Sequence, residues 1–297
     1  MAPARLLSSL APPAGTRFRH SISPLDLLAS LFLNERADIT LLLFASRTMW
    51  YNPAPRLMEV FAAMSNADRK GDIAANVARI RDRIARAAKR AGRSAEEVTL
   101  VAAAKTVEAD RVREALAAGV TDIGENYVQE AAAKRPLVGP GASWHMIGHL
   151  QRNKAKQAVT IFDMIETVDS AQLAEAIGRC AQAVGRTMPI LLQINTSGEE
   201  SKFGVPPGQV EPLLEAVMAL PGVQVAGLMT IGRWDPDPER ARLEFRLLAE
   251  LARRLEADVG AHLKWLSMGM SHDFEIAIEE GANLIRVGTG VFGPRPK

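Results

Sequence analysis

Lys105 ends a run of small and apolar residues, Leu100-Val101-Ala102-Ala103-Ala104, and is followed by Thr106. Such a run reads as a buried strand. A lysine at its end stands at the rim, where lost hydration lowers the amine's pKa and leaves a neutral nucleophile for a carbonyl carbon. The same position also suits a surface lysine whose methylenes lie along the strand while its charge reaches water. Two later segments suit the opposite end of a ligand. Ser267-Met268-Gly269-Met270-Ser271 and Gly288-Thr289-Gly290 are small, hydroxyl-bearing turns able to bring N–H groups close to a phosphate, unless they are ordinary Gly-rich turns. Arg286 stands two residues before Gly288. Arginine does not release a proton near neutral pH, so an aromatic ring nitrogen facing it would stay unprotonated. A salt bridge from Arg286 to Glu125 or Glu166 is the alternative, and the two are compatible.

These residues act together only if the fold gathers them. Ile73, Val77, Ile80 and Ile84 recur at helical spacing in a segment ended near Gly92, which predicts an amphipathic helix over 73–92. Eight β-rich runs follow: Val98 to Ala104, Asp122 to Gly124, Ser143 to Ile147, Met164 to Glu166, Pro189 to Ile194, Val223 to Met229, Lys264 to Ser267, and Leu284 to Val287. Helical stretches are predicted between them at 108–118, 126–135, 150–159, 170–184, 208–219, 236–258 and 272–280. Eight strands alternating with helices predict an α/β fold, a (β/α)8 TIM-type barrel, whose chemistry gathers at the C-terminal strand ends. Those ends carry Lys105; Glu125 and Asn126; His145 with His149; Glu166 and Thr167; Asn195; Met229 and Thr230; Ser267; and Arg286 to Thr289. An open doubly wound sheet would show a G-x-G-x-x-G turn after the first strand, where this chain has Ala103-Ala104-Lys105-Thr106. The sequence past the eighth strand is too short for a full closing helix, and the 73–92 helix is expected to fill that gap.

The 297 residues are 47% apolar and 24% charged with a formal charge of +2, which suits a globular protein and gives no field to attract nucleic acid. Arg253-Arg254 and the arginines of 79–93 have no stacking aromatics among them and read as solvated helix faces. Cys180 is the single cysteine, so no intrachain disulfide forms, and a reducing cytoplasm is expected. His145 and His149 straddle a strand end and do not share a helix face, so no zinc motif is read there. Residues 1–63 differ from the rest: six arginines, no lysine, and six of the fifteen aromatic residues. Their apolar runs are too short to span a bilayer, and the first thirty residues fit a transit peptide loosely. They are expected to be an N-terminal extension, disordered or lying ahead of a true start at Met64, with 64–297 forming the barrel.

An imine-forming lysine across a barrel mouth from a phosphate cradle matches pyridoxal 5'-phosphate, which carries an aldehyde and a phosphate on one ring. A class I aldolase would also want both, though by fold-level analogy its lysine comes from a middle strand. At these residues the chain resembles the pyridoxal phosphate homeostasis protein family, single-domain relatives of the alanine racemase N-terminal barrel. The matching segments are Leu100 to Thr106, Gly124 to Glu130, Trp144 to Gly148 with Leu150-Gln151 and Asn153-Lys154, Gly227 to Ile231, Leu266 to Ser271 with Asp273, and Arg286 to Thr289 with Phe292-Gly293. The resemblance covers about 72 to 295. It implies that Lys105 binds the cofactor as an internal aldimine, that Ser267, Gly288 and Thr289 hold the phosphate, that Arg286 faces the ring nitrogen, and that Asn126, His145 and Met229 wall the site. It implies nothing for His149 or for 1–63. A cofactor-binding protein of pyridoxal phosphate and amino-acid homeostasis is expected, a monomer in the cytoplasm whose partners are the small-molecule cofactor and pyridoxal phosphate-dependent apoenzymes. The alternative is an amino-acid racemase. Racemisation needs a base on each face of the substrate carbon, and alanine racemases draw one from a second domain and partner subunit. With Lys297 the last residue, His145 or Tyr127 would have to serve.

Overall fold

The computed structural model describes residues 72–294, so the extension expected over 1–63 lies outside the described residues. Asp72 caps α1 (Ile73–Arg90), its carboxylate accepting the Ala75 N–H at 3.1 Å. The chain then alternates: β1 (Thr99–Ala103), α2 (Ala109–Ala117), β2 (Asp122–Glu125), α3 (Val128–Val138), β3 (Ser143–Met146), α4 (Ala155–Ile161), β4 (Met164–Val168), α5 (Ala171–Ala183) and β5 (Met188–Ile194). The second half continues with α6 (Val210–Met218), β6 (Val223–Thr230), α7 (Arg242–Val259), β7 (Trp265–Ser267), α8 (Phe274–Glu279), β8 (Leu284–Val287) and the short α9 (Thr289–Phe292). All strands are parallel to their neighbours, and β8 pairs with β1 from Thr99↔Leu284 to Ala102↔Val287, which closes the barrel.

The outer ring is completed as the sequence predicts. α1 packs against α2, α8 and α9. The Asn76 amide donates to the Val291 carbonyl at 2.9 Å, and Arg83 pairs with Glu275 at 2.7 Å while lying 4.5 Å over the Phe274 ring. Two helices begin later than expected. Residues 152–154 form a 3-10 turn before α4, because Ile147 to Gln151 are drawn out along the barrel mouth. Before α7, Pro238 opens another such turn capped by Asp237, and the α-helix starts only at Arg242. Proline suits the first turn of a helix and not its interior.

Side chains alternate between the two faces of a strand. One set faces the helices: Ala102, Ile123, Trp144, Ile165, Ile190, Leu228 and Ile285 all belong to the main apolar cluster. The other set faces inward. It supplies a small separate cluster of Met164, Leu191 and Met229, and beside it a line of charged and hydroxyl groups.

Candidate functional site

The inward line starts at β2 and crosses the barrel to β8. His145 Nδ1 lies 2.8 Å from Glu166 Oε1, and its Nε2 lies 3.0 Å from Asp122 Oδ1. Two carboxylates can both accept from one imidazole only when both ring nitrogens carry hydrogen. Burial pulls the His145 pKa down, but Asp122 and Glu166 outweigh it and raise the value from 6.5 to about 9. Burial likewise pushes the Asp122 carboxyl up, and hydrogen bonds from His145 and Thr121 bring it below its ordinary value. Glu166 uses its other oxygen to accept from Ser267 Oγ–H at 2.5 Å. The Ser267 oxygen accepts in turn from Arg286 Nη1, and Arg286 Nη2 donates to the Thr230 carbonyl at 2.8 Å. Arg286 Nη1 is 4.0 Å from Glu166, and its other electrostatic neighbour is the Asp273 carboxylate. Burial lowers the Arg286 pKa against both attractions, yet a guanidinium stays charged. Two cations and two carboxylates therefore run in alternation through the barrel interior.

Above this floor lies the mouth. Lys105 continues the inward parity of Val101 and Ala103 and is half-buried. The next residue, Thr106, has φ +62°. A β-branched residue in the left-handed region costs on the order of 1–3 kcal/mol and persists only when its surroundings hold it. Across the β1–β8 seam, Gly288 begins the turn into α9, and a Cβ there would stand 3.3 Å from the Ala103 carbonyl. The β7–α8 loop folds back because Asp273 Oδ1 accepts the Met270 N–H at 2.6 Å. That turn sets Ser271 Oγ 3.4 Å from the Gly290 N–H, at the start of α9. On the other side of the mouth a cavity of about 560 Å³ is bordered by Asn126, Tyr127, His149, Lys154 and Phe203. His149 stacks on the Phe203 ring at 3.9 Å.

A family model described as the alanine racemase N-terminal domain matches residues 75–296. The pyridoxal phosphate homeostasis protein of Aquifex aeolicus is 41% identical over 220 residues, covering 74% of this chain and 96% of the relative. The chain belongs to the pyridoxal phosphate homeostasis protein family. The Escherichia coli K12 member is 39% identical over 234 residues, covering 75% of this chain and 97% of its own. Among solved structures, PipY of Synechococcus elongatus with PLP bound superposes with TM-score 0.66 at 36% identity, over 74% of this chain and 100% of that one. Alanine racemase of Clostridium difficile, at 13% identity and TM-score 0.59, shares the fold over 76% of this chain and 57% of that one.

Within this homeostasis-protein barrel, the structure brings Lys105, Asn126, Gly288 and Thr289 to the mouth. His145, Met229 and Ser267 lie one layer down, fully buried, with Arg286 among them. Ser267, expected beside Gly288, has its hydroxyl engaged by Glu166 and Arg286, and the serine beside Gly290 is Ser271. Sequence alone does not single out Asp122. Its parity with Gly124 and Asn126 is the signal that places it inward, beneath the strand end.

Proposed function

We propose that this chain binds pyridoxal 5'-phosphate and serves its homeostasis, with Lys105 holding the aldehyde carbon as an imine. The observation that carries the reading is the placement of Lys105 and Gly288 at neighbouring strand ends, with the Arg286 guanidinium in the layer beneath. The donor set fits the group. Two N–H groups of Arg286 are spent on Ser267 and Thr230, and a guanidinium has five, so donors remain for a ring nitrogen. The hydroxyls of Thr289 and Ser271 at the turn into α9 are partners for a phosphate, and Gly288 lets that turn pack close against Ala103. When bound, the cofactor supplies an aldehyde that condenses with amines and a ring that accepts electron density.

The chain's own residues restrict the chemistry at this site. Arg286 keeps the facing ring nitrogen unprotonated, which weakens the electron sink that deprotonation of an amino acid needs. Glu166 and Ser267 fix that guanidinium in place. His145, one of two groups that could serve racemisation as a second base, is buried with both nitrogens bonded to carboxylates, so it holds its proton. Tyr127, the other, is 59% exposed at the mouth. We therefore favour storage and delivery of the cofactor, as a monomer in the cytoplasm, with pyridoxal phosphate-dependent apoenzymes as recipients. Among the described residues no helix is long and apolar enough to cross a membrane.

The purified protein should show the imine absorption near the visible edge. Incubated with L-alanine in heavy water, it should form D-isomer far more slowly than about one turnover per second, the lower end of ordinary enzyme rates. Racemisation at or above that rate would replace the storage role with that of a racemase.

A further inference from the structure

The turn that carries Lys105 is gripped from one side by a single helix. Ala104 C=O accepts the Val107 N–H at 3.0 Å, which makes 104–107 a tight turn, and it also accepts the Lys134 ammonium at 2.8 Å. The Thr106 N–H donates to Glu130 Oε2 at 3.0 Å. Both peptide groups that flank Lys105, through the carbonyl of Ala104 and the amide of Thr106, are thus held by charged side chains of α3. Lys134 is itself paired with Glu125, a fully buried carboxylate on the outward face of β2, and lies 4.0 Å from Glu130. Burial raises the Glu125 pKa against the pull of Lys134, and its Oε2 has no hydrogen-bond partner among the described residues.

This is an expensive way to fasten a helix to a strand. Burying an ion pair is weak evidence for stability, because apolar residues of similar volume commonly do as well or better. The third residue of a positive-φ turn is ordinarily glycine, yet here it is Thr106. The two costs meet at one place, the backbone that aims Lys105. We propose that Lys134 and Glu130, with Glu125 behind them, are positioning residues that lock the Ala104–Lys105–Thr106 turn and so aim the Lys105 amine at its carbonyl partner. The proposal rests on the reading of Lys105 as the cofactor lysine.

The test uses the full chain titrated with pyridoxal 5'-phosphate. Lys134→Met and Glu130→Leu should each weaken capture by about tenfold or more, since a small misplacement of a reacting group is enough to do so. Both should also change the induced circular dichroism of the bound cofactor, which reports its orientation and which a merely stabilising contact would leave alone. Lys134→Arg, which keeps the charge and the donors, should recover most of the capture and the dichroic band. Thr106→Gly should unfold at the same temperature as wild type or higher, yet capture more weakly, because relief of strain frees the turn. Should Lys134→Met fail to fold, Glu130→Leu and Thr106→Gly decide the matter by the same two readouts. Variants that capture cofactor with wild-type affinity and an unchanged dichroic band overturn the clamp. A wild-type chain that captures no cofactor, or carries it on another lysine, overturns instead the assignment of Lys105.

Discussion

Replacing His145 by glutamine removes the cation at the centre of the buried line while keeping a donor for one neighbour. The folded-state pKa of about 9 stands above the ordinary 6.5. A raised pKa means that the folded state holds the proton more tightly, so the stabilisation is full below pH 6.5 and is lost as pH rises through about 9. A shift of that size corresponds to roughly 3 kcal/mol, at 1.36 kcal/mol per pKa unit. The Asp122 contribution has the opposite sign: its lowered pKa stabilises above the ordinary carboxylate value and is lost only as pH falls below it. It therefore does not enter the alkaline window. At pH 6.5 the variant leaves Asp122 and Glu166 facing each other's field without their shared cation, a loss of about 3–5 kcal/mol for a buried pair robbed of one partner. Urea denaturation of both proteins at pH 6.5, 8 and 9.5, without added cofactor, measures the difference. The wild-type advantage should shrink by roughly 3 kcal/mol across that range. A constant gap between the two proteins would show that His145 is not held as a cation and would refute the alternating-charge line.

Other substitutions address the mouth. Ser271→Ala should lower the preference for pyridoxal phosphate over pyridoxal by about tenfold, the value of one hydrogen bond to a charged acceptor, with little effect on folding. Ser267→Ala should do the reverse, costing about 1–3 kcal/mol of stability by stranding Glu166 and Arg286 while leaving that preference intact; an exchange of the two outcomes would reassign the phosphate serine. A Cβ at Gly148 would stand 2.4 Å from the Asn126 carbonyl oxygen, so Gly148→Ala must displace that backbone. It should cost about 1–3 kcal/mol and weaken cofactor binding, whereas Gly208→Ala, with nothing within 4 Å of its Cβ, should fall within about 0.5 kcal/mol of wild type by urea midpoint. A chain beginning at Met64 should bind the cofactor and unfold at the full-length temperature, and a clearly lower midpoint would give residues 1–63 a stabilising role.

The barrel was legible because its strands advertise themselves locally. β1 through β8 fall within two residues of their apolar runs, and the glycines after the helices, such as Gly185 at φ +69° and Gly281 at φ +108°, adopt the left-handed conformation that stops a helix. The position of Lys105, Gly288 and Thr289 at the mouth was legible for a related reason: in this fold a residue at a strand end already has an address. The interior line was not. Parity tells which way Glu166 and Ser267 point, but their hydrogen bond joins strands on different sides of the barrel, 101 residues apart in sequence, and depends on how the sheet closes. The choice between Ser267 and Ser271 likewise turns on the path of one loop, which the Asp273 carboxylate sets. Lys134 and Glu130 carry no local signal at all, since a charged residue on a helix reads as solvated until the helix is seen packed against the end of β1.

The most direct measurement is borohydride reduction of the protein loaded with pyridoxal 5'-phosphate, followed by peptide mapping, in wild type and Lys105→Ala. Reduction should abolish the imine band and leave the pyridoxyl label on Lys105, and the variant should show neither band nor label. A label on a different lysine in wild type, or an unaltered imine band in Lys105→Ala, would contradict the assignment of Lys105 as the residue that holds the cofactor.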